Sequence, residues 1–265
     1  ECFMLNITPQ PEITDLQDVT ICEDDVYCIN ATAENYSLLS WTTSGDGNFD
    51  DAAIEDPCYT PGVNDISNTS VELCLTAQPI DPCTVQATEC FILHIQQSPS
   101  ANAGEDFAIC QGSQATLTGL VENECGFSWS TAGDGTFDDA GLPAPVYTPG
   151  AGDEAAGTVE ICLTVEACDP CTIAATDCMT LTIQPQPTVD PLDNITVCEN
   201  AGPVYLDATA ANYASLSWFT GGDGSFDDNT IEDPCYTAGT GDIDNGSVEL
   251  CISAQPIDPC TVAAT

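Results

Sequence analysis

Side chains able to hold a metal or move a proton recur at fixed spacing along this chain. "SWTTSGDGNFDD" (residues 40–51) returns as "SWSTAGDGTFDD" (128–139) and as "SWFTGGDGSFDD" (217–228). Asp46, Asp50 and Asp51 therefore have counterparts in Asp134, Asp138 and Asp139, and in Asp223, Asp227 and Asp228. Calcium takes six to eight oxygen ligands, several of them carboxylate. A tight turn with further acids nearby, such as Asp56 or Asp65 in the first copy, Asp153 in the second, and Asp233 or Asp242 in the third, offers that chemistry. The stretch has neither the D-x-D-x-D-G run of an EF-hand nor a glutamate at its twelfth position, and Asp-Gly by itself favours a hairpin turn. Two readings stand side by side: a calcium-holding turn, and a turn whose acids are only solvated. Paired carboxylates can also run glycoside hydrolysis, but three identical pairs on predicted turns do not make a catalytic cleft. The single histidine, His94, falls on the outward face of its strand, and no Lys or Arg is present to stabilise an oxyanion. No enzyme is expected.

Cysteine is the other reactive residue. Seventeen of them with a single His argue against zinc and for disulfides in an oxidising, extracellular setting. Each full repeat carries four at common positions: Cys22, Cys74, Cys83 and Cys90 in the first, Cys110, Cys162, Cys171 and Cys178 in the second. Four cysteines allow three connectivities. Cys74 and Cys90 face the same way about a hairpin turn, which favours joining them and leaves Cys22 for Cys83. Cys162 with Cys178 and Cys110 with Cys171 would repeat the scheme, and Cys198 and Cys260 are the matching candidates of the third repeat. Extra cysteines pair as Cys28 with Cys58 and Cys125 with Cys168. Cys235 faces Tyr205 where Cys58 faces Cys28, so it is read as a buried free thiol or as a bridge to a neighbouring chain.

The chain has 265 residues, 43 Asp and Glu, and a formal net charge of −43. Phosphate neutralisation needs basic side chains, so neither nucleic acid nor an anionic membrane surface is a direct partner. Hydrophobic residues make up 43% and fall in short alternating runs, which a folded sheet can bury.

The elements that must position these side chains repeat every 88 or 89 residues, as ECFMLNI at 1, ECFILHI at 89 and DCMTLTI at 177 show. Within the first repeat, strands are expected near Val19–Cys22, Tyr27–Ala33, Leu38–Thr43, Asn48–Asp50, Asp56–Thr60, Ser70–Ala77 and Glu89–Gln96, with no helix beyond a turn. Trp41, Trp129 and Trp218 take the core position of the third strand. Pro-containing stretches after each Cys-bearing strand mark boundaries. They divide the chain into a last strand of a preceding domain (1–8), two full domains (9–96 and 97–184) and a third (185–265) lacking its last strand. The sequence could run from Thr265 straight back into Glu1; covalent continuation of an array is expected over separate subunits completing one another by strand donation.

The order "ANAGEDFAICQG", "SWSTAGDGTFDD", "VYTPG", "GTVEICLTV", "CTIAATDCMTLTI" resembles the PKD-like, immunoglobulin-superfamily repeats of very large surface proteins of Bacteroidota. The resemblance implies an all-β, rod-like array of tandem β-sandwich domains at the cell surface, exported by type IX secretion. It further implies a segment of an adhesin or fibre used for attachment, gliding or prey capture, whose partners are neighbouring repeats and identical chains. A strand-exchanged filament subunit and a glycan- or protein-binding module are the alternatives.

Overall fold

The computed structural model describes residues 1–14, 16–190 and 192–265. The chain is all-β, with 44% strand and 7% helix, and its contacts gather into two compact units. The first holds Glu1–Ala101, Val121–Phe127 and Thr164–Thr176; the second holds Asn102–Leu120, Ser128–Leu163 and Asp177–Thr265.

In the first unit the period-2 pattern of the first repeat builds a four-stranded sheet. Val19–Cys22 lies parallel to Ala87–Gln96, which runs antiparallel to Ser70–Pro79, which in turn runs antiparallel to Tyr36–Thr43. Alternation sends Val71, Leu73, Leu75 and Ala77 inward and leaves Glu72, Cys74 and Thr76 on the other face. A three-stranded sheet of Tyr27–Cys28, Cys58–Thr60 and Asn48–Phe49 supplies Tyr59 and Phe49 to the core, and Glu12–Thr14 pairs with Thr32–Glu34. Trp41 is buried at the centre, stacked edge-on with Phe91 and tilted against Phe49. The expected Tyr27–Ala33 strand is interrupted, because Ile29 and Ala31 spend their N–H groups on Pro57 O and on the Asp56 carboxylate instead of a ladder.

The second unit repeats the pattern. Phe107–Cys110 runs parallel to Ala175–Gln184, and Ala115–Thr116, Val146–Thr148 and Thr136–Phe137 form a three-stranded sheet. Leu206, Leu216, Trp218, Tyr236, Ile252 and Ala254 form the core of the third repeat. There Leu250–Pro256 pairs with Tyr213–Thr220 in a sheet of two strands.

Helix does occur beyond a turn. Six-residue helices at Val63–Asn68, Ala151–Ala156 and Thr240–Asn245 follow each Y-T-x-G. They are too short to show an apolar period, so nothing in the hydrophobic pattern announces them. Among the described residues no helix is long and apolar enough to cross a membrane.

Candidate functional site

The Asp-Gly turn is held by a buried carboxylate. Asp65, 2% exposed, sits on the Val63–Asn68 helix and accepts hydrogen bonds from the N–H groups of Asp46 (3.1 Å), Gly47 (3.0 Å) and Gly62 (3.0 Å) and from the Tyr59 hydroxyl (2.7 Å). Asp46 answers in kind: its carboxylate accepts the N–H groups of Asn64 and Asp65, the orphan donors of that helix's first turn. The two segments thus cap each other. The same lock recurs as Asp153 with Asp134 and Tyr147, and as Asp242 with Asp223 and Tyr236. The glycines of the turn are there for close approach. A Cβ on Gly45 would overlap the Asp65 carboxylate, and one on Gly47 would overlap the Tyr59 hydroxyl.

The other sequence-selected acids close neighbouring turns. Asp50 accepts from the N–H groups of Asp51 and Cys58, and Asp51 from that of Ala53. Asp138 and Asp227 accept from the residue that follows and from Val146 and Cys235; Asp139 and Asp228 accept from Gly141 and Thr230. Asp56 and Asp233 bind the N–H groups of Ala31 and Ala208. Among the described residues, the groups of three whose ligand atoms lie within 4.8 Å of one another are Glu72, Cys74, Cys90 and Glu160, Cys162, Cys178, whose cysteines are disulfide-bonded, so the turn acids are not drawn into one cluster. Their carboxylates are engaged by backbone N–H groups, so a chelator is expected to leave the melting temperature unchanged. Raising ionic strength from ~0.01 M to ~1 M shrinks the screening length from ~30 Å to ~3 Å and is expected to raise it, because 43 acids repel one another without a single Lys or Arg. A chelator-induced fall in melting temperature would instead assign an ion to these turns.

Protonation of the lock has a definite sign. Burial pushes the Tyr59 and Tyr147 hydroxyls up to about 12, with the Asp65 and Asp153 carboxylates they face adding to the rise. Their contribution is complete below pH ~10 and is lost as pH climbs through 12. Burial alone would raise Asp65 as well, but hydrogen bonds from Gly62, Tyr59, Asp46 and Gly47 outweigh it and hold the carboxyl below 3.8; the same balance lowers Asp153. That contribution is present above the ordinary carboxylate value and is lost as pH falls below it. Alkaline titration is expected to show tyrosinate absorbance from the lock tyrosines appearing together with unfolding. Release of all tyrosines near pH 10 in a folded chain would contradict the lock.

Disulfides join Cys74 to Cys90, Cys162 to Cys178, Cys28 to Cys58 and Cys125 to Cys168. Cys22 does not pair with Cys83. It is bonded to Cys171, 149 residues away, in the following repeat, and Cys110 is bonded to Cys260, 150 residues away, rather than to Cys171. The reason lies in the sheet: Cys22 pairs with Gln96 at the end of the last strand, whereas Cys83 lies in the hairpin before that strand begins at Ala87. Nine residue steps of strand, roughly 30 Å, separate those ends, far beyond the ~7 Å Cα limit of a disulfide. The loop of the following repeat instead reaches the Cys22 end, with Cys171 Sγ 3.3 Å from Gln96 O, and Asn123 donating to Ser98 O at 3.0 Å beside it. Cys83 and Cys198, expected in disulfides, are free, as are Cys2, Cys251 and the half-buried Cys235 opposite Tyr205.

Asp65, Asp153 and Asp242, the centres of the lock, entered the sequence reading only as accessory acids. The recurring Y-T-x-G-x-x-D at 59–65, 147–153 and 236–242 is the signal that marks them.

No protein-family model and no curated protein sequence matches the chain. Among solved structures it is similar to an I-band fragment from titin, with 12% identity, 97% of this chain and 96% of that one covered, and a TM-score of 0.51. It is also similar to a fragment of mouse cadherin-23 (12% identity, 96% of each chain, TM-score 0.48) and to the first four extracellular cadherin domains of protocadherin gamma B7 (12% identity, 96% and 74%, TM-score 0.49). The titin likeness bears on fold alone: tandem immunoglobulin-like sandwiches.

Proposed function

We propose that this chain is a load-bearing segment of a disulfide-stabilised extracellular fibre or adhesin, extending and stiffening a structure that works by attachment rather than by catalysis. The observation that carries this reading is the pair of disulfides from one repeat to the next, Cys22–Cys171 and Cys110–Cys260. A bond inside a sandwich protects that sandwich, but a bond between successive repeats carries tension past the folded core. Six disulfides also point to an oxidising, extracellular compartment. Attachment, gliding or prey capture at a bacterial surface, reached by type IX secretion, is the setting that the repeat resemblance suggests. Single-molecule stretching of the oxidised and reduced chain tests the reading. Extension to the full contour length without reductant would remove its basis.

A further inference from the structure

One of the two bonds between repeats has a neighbour that the other lacks. Cys171 is the last residue of Cys168-Asp169-Pro170-Cys171, and Cys168 is bonded to Cys125. At the equivalent turn beside Cys260 the first residue is Ile257, and the place of Cys125 is taken by Ala214, so Cys110–Cys260 has no companion bond there.

The two bonds beside Cys171 gather on one stretch of backbone. Cys171 Sγ lies 3.3 Å from Gln96 O, and Cys22 Sγ 3.7 Å from the Ser98 hydroxyl. Asn123, whose carbonyl oxygen is 3.7 Å from Cys168 Sγ, donates its side-chain amide to Ser98 O at 3.0 Å. All four cysteines belong to the same compact unit. Asp169 and Pro170 are the two central residues of a turn. The outer residues of such a turn have Cα atoms within ~7 Å, which is also the limit for a disulfide. Cys168 and Cys171 are therefore spaced to bond to each other, although each is bonded elsewhere. Their access to solvent differs as well. Cys125 is exposed and Cys22 and Cys168 are half-buried, whereas Cys171 is buried, so a thiol from solution meets Cys125 first.

We infer that Cys125, Cys168, Cys171 and Cys22 form a thiol–disulfide exchange site whose substrate is a dithiol reductant, and that it opens the Cys22–Cys171 link by closing Cys168 onto Cys171. A thiolate of the reductant attacks Cys125 Sγ; the Cys125–Cys168 bond breaks and Cys168 leaves as a thiolate. The second thiolate of the reductant then attacks its own sulfur in the mixed disulfide, closing the oxidised reductant and releasing Cys125. Cys168, tethered three residues from Cys171, attacks Cys171 Sγ, forms Cys168–Cys171 and expels Cys22, beside the Ser98 hydroxyl. Two electrons and two protons pass from the dithiol to the protein. Two disulfides become one, and Cys22 and Cys125 end as thiols. This deepens the fibre reading and rests on it for its consequence: opening the link adds roughly 80 Å to the shortest covalent path, so a reducing environment slackens the chain under load.

Cys110–Cys260 is the internal reference, since it too joins a half-buried cysteine to a buried one. On the folded, oxidised chain, free thiols are blocked with N-ethylmaleimide, limiting dithiothreitol is added, and new thiols are trapped with the isotopically heavy reagent and located by mass spectrometry. Heavy label is expected in equal amounts on Cys22 and Cys125, with Cys168 and Cys171 unlabelled and joined, and Cys22 should be released about tenfold faster than Cys110. Label on Cys168 or Cys171 as early as on Cys22, or equal release of Cys22 and Cys110, overturns the proposal. Two variants separate exchange from a bracing role of Cys125–Cys168. Cys125→Ser leaves Cys168 as a thiol from the start and should free Cys22 with no reductant added. Cys125→Ser with Cys168→Ser lacks the same bond and also the attacking thiol, and should keep Cys22–Cys171. Loss of Cys22–Cys171 in both variants, or its survival in both, overturns the proposal. No force is applied in these measurements, so the exchange and the load-bearing reading can fail independently.

Discussion

Stretched from its two ends, the oxidised chain is expected to stop at roughly 150 Å, whereas the reduced chain should reach roughly 900 Å. The difference follows from connectivity. With Cys22–Cys171, Cys125–Cys168 and Cys110–Cys260 closed, the shortest covalent path from Glu1 to Thr265 runs through residues 1–22, 168–171, 110–125 and 260–265, about 44 residue-to-residue steps at ~3.5 Å each. Everything else is slack held in loops. Replacing Cys22 and Cys171 by serine reroutes the load through Cys28–Cys58 and Cys74–Cys90, lengthening the path to about 68 residues or roughly 240 Å. Replacing Cys110 and Cys260 leaves Cys22–Cys171 as the main shortcut, with about 115 residues and roughly 400 Å. The graded series separates bonds between repeats from bonds within them, because conventional pairing inside each repeat could not make the whole chain this short. Equal extension of the oxidised parent and both variants would show that these bonds do not carry the load.

Asp65→Ala is expected to cost the first repeat about 3–5 kcal/mol, out of a total for a domain of about 5–15. The substitution removes the acceptor for three backbone N–H groups and the Tyr59 hydroxyl in a place closed to water, and each orphaned donor carries its desolvation penalty. Asp65→Asn keeps one acceptor oxygen but turns an amide toward N–H donors, so roughly half the loss is expected. Asp51→Ala, which removes one exposed turn contact, should cost only about 0.5 kcal/mol. Urea midpoints with all disulfides intact provide the measurement. If Asp65→Ala matched Asp51→Ala, the buried carboxylate would not be what holds the turn.

The period, the all-β class, the inward face of Ser70–Pro79 and the core position of Trp41 were legible because a strand's side chains alternate strictly, so burial is written into every second residue. The Cys74–Cys90 and Cys28–Cys58 pairs were legible for the same reason: register on neighbouring strands fixes both partners. Asp46 was visible as a turn residue but not as a helix cap, since the six-residue helix it caps is shorter than any period that could reveal it.

What the sequence by itself determined, then, is each repeat's local geometry: strands, faces, turns and the cysteines that oppose one another across a ladder. What only the tertiary structure decided is which copy of a repeated position becomes a partner. Cys83 and Cys171 are the same residue in two repeats, and nothing local distinguishes them as partners for Cys22. The parallel pairing of Val19–Cys22 with the last strand carries Cys22 to the end of the sheet away from Cys83, and there the loop of the following repeat places Cys171. Alternation encodes a face, but not the end of the sandwich at which the next repeat arrives.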